Sequence, residues 1–275
     1  MPFVTVRDIQ MYYEIRGAGV RLLYIGGTGG DLRRKPSIIF DSPIAAYFKI
    51  LAYDQRGLGQ TDRPDIPYSM MDYAMDADSL LSTVGWDSCL VMGLSFGGMV
   101  AQEFALRYPK RVERLVLCCT SSGGVGGSSY PIEEFDDLSP RERAMCLLPI
   151  ADTRLDAAWQ ATNPQRFQQL VEQRMASSKV GVDERNRKVG VRRQLEARAS
   201  HDTYNRLPNL RMPVFICGGR YDGVAPISNQ EVMHKQIPNS RLELFEGGHH
   251  FILEDPRAFV RIAAFLRSEL DEWLQ

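Results

Sequence analysis

The stretch that most constrains this chain runs from Cys89 to Leu106, CLVMGLSFGGMVAQEFAL, because it reads as a buried strand turning sharply into a helix. The turn is Gly93-Leu94-Ser95-Phe96-Gly97. A G-x-S-x-G turn needs glycine on either side of the serine, since the backbone is tight there and a Cβ would collide with neighbouring chain; the hydroxyl is thereby pushed out above the sheet. Three fixed letters recur by chance in a chain of ordinary composition, so the context carries the reading. Leu90-Val91-Met92 is a short apolar run, and Val100, Ala101, Phe104 and Ala105 repeat at helical spacing until Tyr108-Pro109 ends the helix.

The rest of the chain alternates in the same way. Phe3 to Arg7 and Gln10 to Ile15 flank Asp8 and stop at Gly17-Ala18-Gly19, which predicts an antiparallel hairpin at a sheet edge. Short apolar runs at 21–25, 49–53, 90–92, 115–118, 214–217 and 242–245 are separated by helical stretches, the pattern of a parallel sheet with helices on both faces. In the last helix Phe259, Ile262, Ala263 and Leu266 fall at i, i+3, i+4 and i+7, with Asp255 expected as N-cap and Pro256 in the first turn. Between residues 119 and 214 lies a long excursion. It opens with the Gly/Ser-rich run 121–129, expected to act as a hinge, and continues rich in Arg, Gln, Ala and Leu. It reads as a helical lid, the alternative being a surface insertion with no part in the site.

Composition narrows the function classes. A net charge of −1 supplies no field for nucleic acid or anionic lipid, and no apolar run approaches membrane-spanning length. The N-terminus has no basic region followed by an apolar block. Five cysteines, four of them in or beside strand-like apolar runs, fit a reducing cytoplasm. No C-x-x-C spacing occurs, and His249-His250 has no third ligand nearby in sequence, so no metal and no cofactor is expected. Gly26-Gly27-Thr28-Gly29-Gly30 follows a strand, yet Leu32 stands where a dinucleotide fingerprint starting at Gly27 needs glycine, and Lys35-Pro36 where a P-loop needs Gly-Lys-Ser/Thr.

With strand, elbow and helix in place, the chain resembles the α/β-hydrolase superfamily over nearly its whole length. The resemblance implies a mostly parallel eight-stranded sheet flanked by helices, with a helical lid inserted after strand 6. The division is then residues 1–120 and 206–275 for the core and 121–205 for the lid. It implies a nucleophile, Ser95, followed in chain order by an acid and a histidine. Gly219-Arg220-Tyr221-Asp222, with Pro226 later, resembles the family's G-x-x-D, and Gly248-His249 leading into Glu254-Asp255-Pro256 resembles its G-H-x-x-x-x-E-x-P. The acid is therefore Asp222 and the base His249, with His250 the neighbouring rival; His201 and His234 lie in helical or lid segments. The family's loop after the first parallel strand usually begins His-Gly, and its N–H together with the one after the nucleophile faces the developing oxyanion. Here those residues are Thr28 and Phe96, with Gly27 beside the substrate and Gly26 in place of the histidine. Asp54-Gln55-Arg56-Gly57-Leu58-Gly59-Gln60-Thr61 resembles the family's D-x-R-G-x-G-x-S turn and reads as structural, Arg56 pinning neighbouring loops.

The expected function is a cofactor-independent serine hydrolase that opens a small carboxylic ester or lactone through an acyl-enzyme, acting as a monomer or homodimer. A proline iminopeptidase-like aminopeptidase, a hydrolase-fold ligand receptor, and a lyase or perhydrolase stay open, since fold alone separates none of them. Trp159 in the lid faces either the lid's own core or the bound ligand. One of the lid arginines, among them Arg174, Arg185, Arg187, Arg192 and Arg193, turned inward would select an anionic substrate.

Overall fold

A computed structural model describes residues 2–269, with Ser178 described in its backbone alone. The strands are β1 (Phe3–Val6), β2 (Ile9–Arg16), β3 (Val20–Ile25), β4 (Phe48–Tyr53), β5 (Cys89–Leu94), β6 (Val112–Cys118), β7 (Val214–Gly219) and β8 (Ser240–Phe245). The helices are α1 (Met70–Thr83), α2 (Phe96–Arg107), α3 (Pro140–Ala151), α4 (Ala157–Thr162), α5 (Pro164–Ser178), α6 (Arg187–Ala199), α7 (Ile227–Gln236), α8 (Phe251–Glu254) and α9 (Arg257–Leu266). The strands form one eight-stranded sheet in the order β1-β2-β4-β3-β5-β6-β7-β8. The β1–β2 hairpin is antiparallel and lies at the edge, β2 pairs β4 antiparallel, and every later pairing is parallel. This is the mostly parallel, helix-flanked sheet predicted from the apolar runs.

Strand residues alternate between two cores, as the two-residue repeat of a pleated strand requires. Leu23, Ile25, Val91, Leu115, Leu117 and Ile216 pack on the face covered by α1, α2 and α7. Leu22, Tyr24, Met92, Val116, Phe215 and Cys217 pack on the face covered by α8 and α9. Helix α9 buries Phe259, Ile262, Ala263 and Leu266, the predicted stripe. Its start falls one residue later than predicted: Pro256 is the N-cap, and Asp255 serves from outside by accepting from the Arg257 N–H at 2.9 Å. Capping boxes, in which a serine and an acid three residues on satisfy each other's backbone N–H, start α1 at Ser69 with Asp72 and α3 at Ser139 with Glu142.

Between β6 and β7 lie α3 to α6. The Gly/Ser-rich run that opens this excursion differs from the expected free hinge, because it is packed. Ser121 and Ser122 are buried, Gly123 bridges Asp202, and the Thr203 N–H donates to the Ser122 carbonyl at 2.8 Å. A Cβ on Gly123 would lie 1.8 Å from the His201 carbonyl oxygen, so glycine here permits close approach of two chain segments. The two ends of the excursion, at 121–123 and 201–203, are thus packed against each other in a seam.

Candidate active site

The site is assembled at the C-terminal end of the central strands. β5 ends at Leu94, α2 begins at Phe96, and Ser95 between them holds φ 54° and ψ −117°, a backbone region that a non-glycine residue occupies only when its surroundings hold it there. The surroundings are specific. A Cβ on Gly97 would lie 2.0 Å from the Ile25 carbonyl oxygen and one on Gly93 2.4 Å from that of Gly97, so the loop after β3 and the first turn of α2 can close on each other only without side chains. The Ser95 N–H donates to the Cys118 carbonyl at 2.8 Å, tying the elbow to β6.

Ser95, His249 and Asp222 form one hydrogen-bonded chain although they are far apart in sequence. The Asp222 carboxylate can only accept, so His249 Nδ1 is the donor at 2.8 Å, and Nε2 is left as acceptor for the Ser95 hydroxyl at 2.9 Å. The second oxygen of Asp222, a buried residue, accepts from the Val224 and Ala225 N–H groups at 2.8 and 2.9 Å, which fixes the orientation of the carboxylate. Such a chain can draw a proton from a serine hydroxyl as it attacks a carbonyl. His250 is turned away: its ring lies edge-on to that of His249 with centroids 5.8 Å apart, and it bonds to neither Ser95 nor Asp222. It is open to solvent on one side, yet protein packed around it, with His249 and Arg174 adding their charge, pushes its pKa below the ordinary histidine value.

The loops that carry His249 and Asp222 are also anchored to α3 and the residues just after it. The His249 N–H donates to the Ala151 carbonyl at 2.6 Å, the Gly223 N–H to that of Ile150 at 3.0 Å, and the Thr153 N–H to that of Tyr221 at 2.9 Å. A Cβ on Gly248 would stand 2.2 Å from the Ala151 oxygen. These backbone contacts carry no sequence signal beyond the glycine that permits them.

The loop after β3 lies directly against the serine: a Cβ on Gly27 would be 3.5 Å from Ser95 Cβ. Among the described residues neither the Thr28 N–H nor the Phe96 N–H has an acceptor, so both remain available. Bracing of this loop, which the missing histidine at Gly26 left without a source, comes from two glutamines and an aspartate. Gln55 Nε2 donates to the Gly26 carbonyl, Gln194 Oε1 accepts from the Gly29 N–H, and Asp54 Oδ1 accepts from the Leu32 N–H, each at 2.8 Å. Burial raises the pKa of Asp54 to about 6. Arg56 stays below the site, its Nε bonded to Asp76 at 2.8 Å and its Nη2 to Asp8 at 2.7 Å.

Trp159 is half-buried in a small cluster with Ala144, Phe167 and Val171 inside the excursion. Arg193 is spent on Asp65 and Glu196, both at 2.9 Å, Arg192 reaches the same two acids at 3.9 and 3.7 Å, and Arg185 is exposed. Sulfur of Cys119, a carboxylate oxygen of Asp222 and a ring nitrogen of His249 lie within 4.8 Å of one another, the spacing of a metal cluster. Burial pushes the Cys119 thiol well up, however, so it keeps its proton, and Asp222 and His249 are committed to each other. A cavity of 410 Å³ opens elsewhere, between residues 60–64 and 185–186, with none of Ser95, Asp222 and His249 in its wall.

Comparison with known proteins agrees with the fold. A family model described as "alpha/beta hydrolase fold" matches residues 21–256. A poly(3-hydroxyalkanoate) depolymerase of Ectopseudomonas oleovorans is 27% identical over 90% of this chain and 84% of its own length. A 3-oxoadipate enol-lactonase of Acinetobacter baylyi is 24% identical over 93% and 92%. Among solved structures, the enol-lactonase of Burkholderia xenovorans LB400 superposes with a TM-score of 0.73 at 21% identity, with both chains covered fully.

Proposed function

The chain belongs to the α/β-hydrolase fold family, and on that premise we propose that it is a cofactor-independent serine hydrolase cleaving a small carboxylic ester or lactone through an acyl-enzyme. The observation that carries the reading is the Ser95–His249–Asp222 chain of hydrogen bonds at 2.9 and 2.8 Å, with Ser95 held at φ 54° on the elbow. Ser95 Oγ attacks the substrate carbonyl while its proton passes to His249 Nε2. Asp222 holds the imidazole in the needed tautomer and stabilises the imidazolium. Negative charge collects on the former carbonyl oxygen, and we assign its stabilisation to the Thr28 and Phe96 N–H groups, which have no acceptor among the described residues. His249 then returns the proton to the leaving alkoxide, and a water activated by the same base releases the acid. The depolymerase and enol-lactonase relatives support an ester or lactone over an amide.

A fluorophosphonate tests the assignment, because only a serine with a positioned base and oxyanion donors reacts readily. Labelling confined to Ser95, together with steady turnover of a simple aryl ester, is the expected result. Labelling that persists in Ser95→Ala sinks it, and binding without turnover would favour a hydrolase-fold receptor.

A further inference from the structure

Among the described residues Arg34 and Arg174 have no hydrogen-bond or ion-pair acceptor for their guanidinium groups, where most arginines have one. Arg33 is spent on Asp31 at 2.7 Å and on Glu184, and Arg143 on Asp136. Arg34, the residue after Arg33, has no acceptor for its guanidinium among the described residues, and its Nε is fully buried with nothing to bond. It lies over the loop beside Ser95, with Nη2 4.0 Å from where a Cβ on Gly29 would sit. Arg174, on α5, also has no acceptor among the described residues and lies within electrostatic reach of Arg34 and of His250. Gln194 is the third donor. It is fully buried, and because its Oε1 is held by the Gly29 N–H at 2.8 Å, its Nε2 is left aimed with no acceptor. The acids nearest Arg34 are already used, Asp31 by Arg33 and Asp54 by the Leu32 and Gln60 N–H groups.

Donors left unsatisfied in protein are costly, and two cations within electrostatic reach of each other add repulsion. An anion between them removes both penalties. We infer that Arg34, Arg174 and Gln194 form a carboxylate-binding subsite next to Ser95, so that the substrate is an ester or lactone carrying a free carboxylate. The inference rests on the reading of Ser95 as nucleophile. A carboxylate suits the donor set: two planar guanidinium forks and one amide match its two oxygens, and its single charge meets two cations. Burial lowers the pKa of both arginines, although the carboxylates of Asp31 and Asp54 work against the shift at Arg34. Placing one arginine on the core loop and the other on the excursion also means that the bound anion ties the two parts together over the serine.

The test compares mono-4-nitrophenyl adipate with its methyl ester as substrates, reading the ratio of kcat/KM so that a general loss of activity cancels. The wild type is expected to prefer the acid by about tenfold or more, as a charge-assisted pair allows. The ratio should collapse towards one in Arg174→Gln and in Arg34→Gln, and be partly kept in Arg174→Lys. A ratio near one in the wild type, or one that survives in both glutamine variants, overturns the subsite while leaving the hydrolase intact. If Arg34→Gln fails to fold, Arg174→Gln alone carries the test. Turnover of neither ester defeats the hydrolase reading, and the subsite is then read by binding: millimolar adipate should raise the Tm of the wild type and not that of Arg174→Gln, and the absence of any rise overturns it.

Discussion

The sheet and the excursion between β6 and β7 are built on different terms. Each face of the sheet carries a broad buried cluster, and side chains such as Phe104, Phe96 and Phe215 are fully enclosed. The excursion's own cluster has three buried members, Ala144, Phe167 and Val171; Leu195 and Ala197 of α6 are buried as well, and exposed ion pairs such as Arg193 with Asp65 lie on its surface. Surface pairs contribute little, so the excursion depends more on its seam and on the bonds from α3 to the loops that carry His249 and Asp222. The division matters for a hydrolase, because chemistry needs side chains held to fractions of an ångström, which a densely packed scaffold does better than a lightly packed segment.

The largest effect should come from the rigid side. Asp222→Asn leaves His249 without a carboxylate to set its tautomer, and a loss of about 10⁴-fold in kcat on an aryl ester is expected, with His249→Ala comparable. His250→Ala should cost far less, since its ring touches neither Ser95 nor Asp222. The inactive variant proving to be His250→Ala, with His249→Ala active, would shift the base by one residue.

Stability should divide the same way. Phe104→Ala opens a cavity in the sheet's main cluster and should cost about 3–5 kcal/mol in urea unfolding. Val171, equally buried, sits in the three-residue cluster, and Val171→Ala should cost about 1–2 kcal/mol, its loss appearing as faster proteolysis within α3 to α5. Equal losses in global stability would mean that the two regions unfold as one unit.

Legibility from sequence follows the same line. The strands could be read because each is a short apolar run ended by glycine or a turn, and the elbow because its glycine requirement is local. Asp222 and His249, which the structure joins by a hydrogen bond, could be picked out because their surroundings resemble the family's motifs in a fixed chain order. The brace of the loop after β3 could not, because Gln55 and Gln194 stand 29 and 165 positions from their partners, and a glutamine announces nothing about where its amide will go. The four-residue α8 is too short for a periodic signal. Trp159 stayed ambiguous in the sequence because packing among α3, α4 and α5, not its own neighbours, decides what it faces. The run 121–129 misled for a related reason: glycine that looks like flexibility in isolation is here close approach to the chain at 201–202.

The seam offers the smallest and sharpest test, through acidity. His201 is buried, donates from Nε2 to the Ser121 carbonyl at 3.2 Å, and leaves Nδ1 buried without a partner. Burial pushes its pKa from 6.5 to about 4. An unfolded chain therefore takes up a proton near pH 6.5 that the folded protein refuses until about pH 4, so stability is fully present above the first value and lost as pH falls through that window. The slope is about 1.4 kcal/mol per pH unit, or about 2 kcal/mol by pH 5. Asp54 acts in the opposite sense. Its pKa is raised to about 6, so the folded state binds a proton first and gains stability as pH falls below that value. The wild-type profile is thus a sum of opposed contributions, and only a difference isolates the histidine. In His201→Gln the amide can still donate to Ser121 but does not titrate, so urea unfolding at pH 7.5, 6 and 5 should show the wild type losing about 2 kcal/mol relative to the variant by pH 5. Parallel profiles would mean that water reaches His201 in the folded protein, and that the seam joining the lightly packed excursion to the sheet is open.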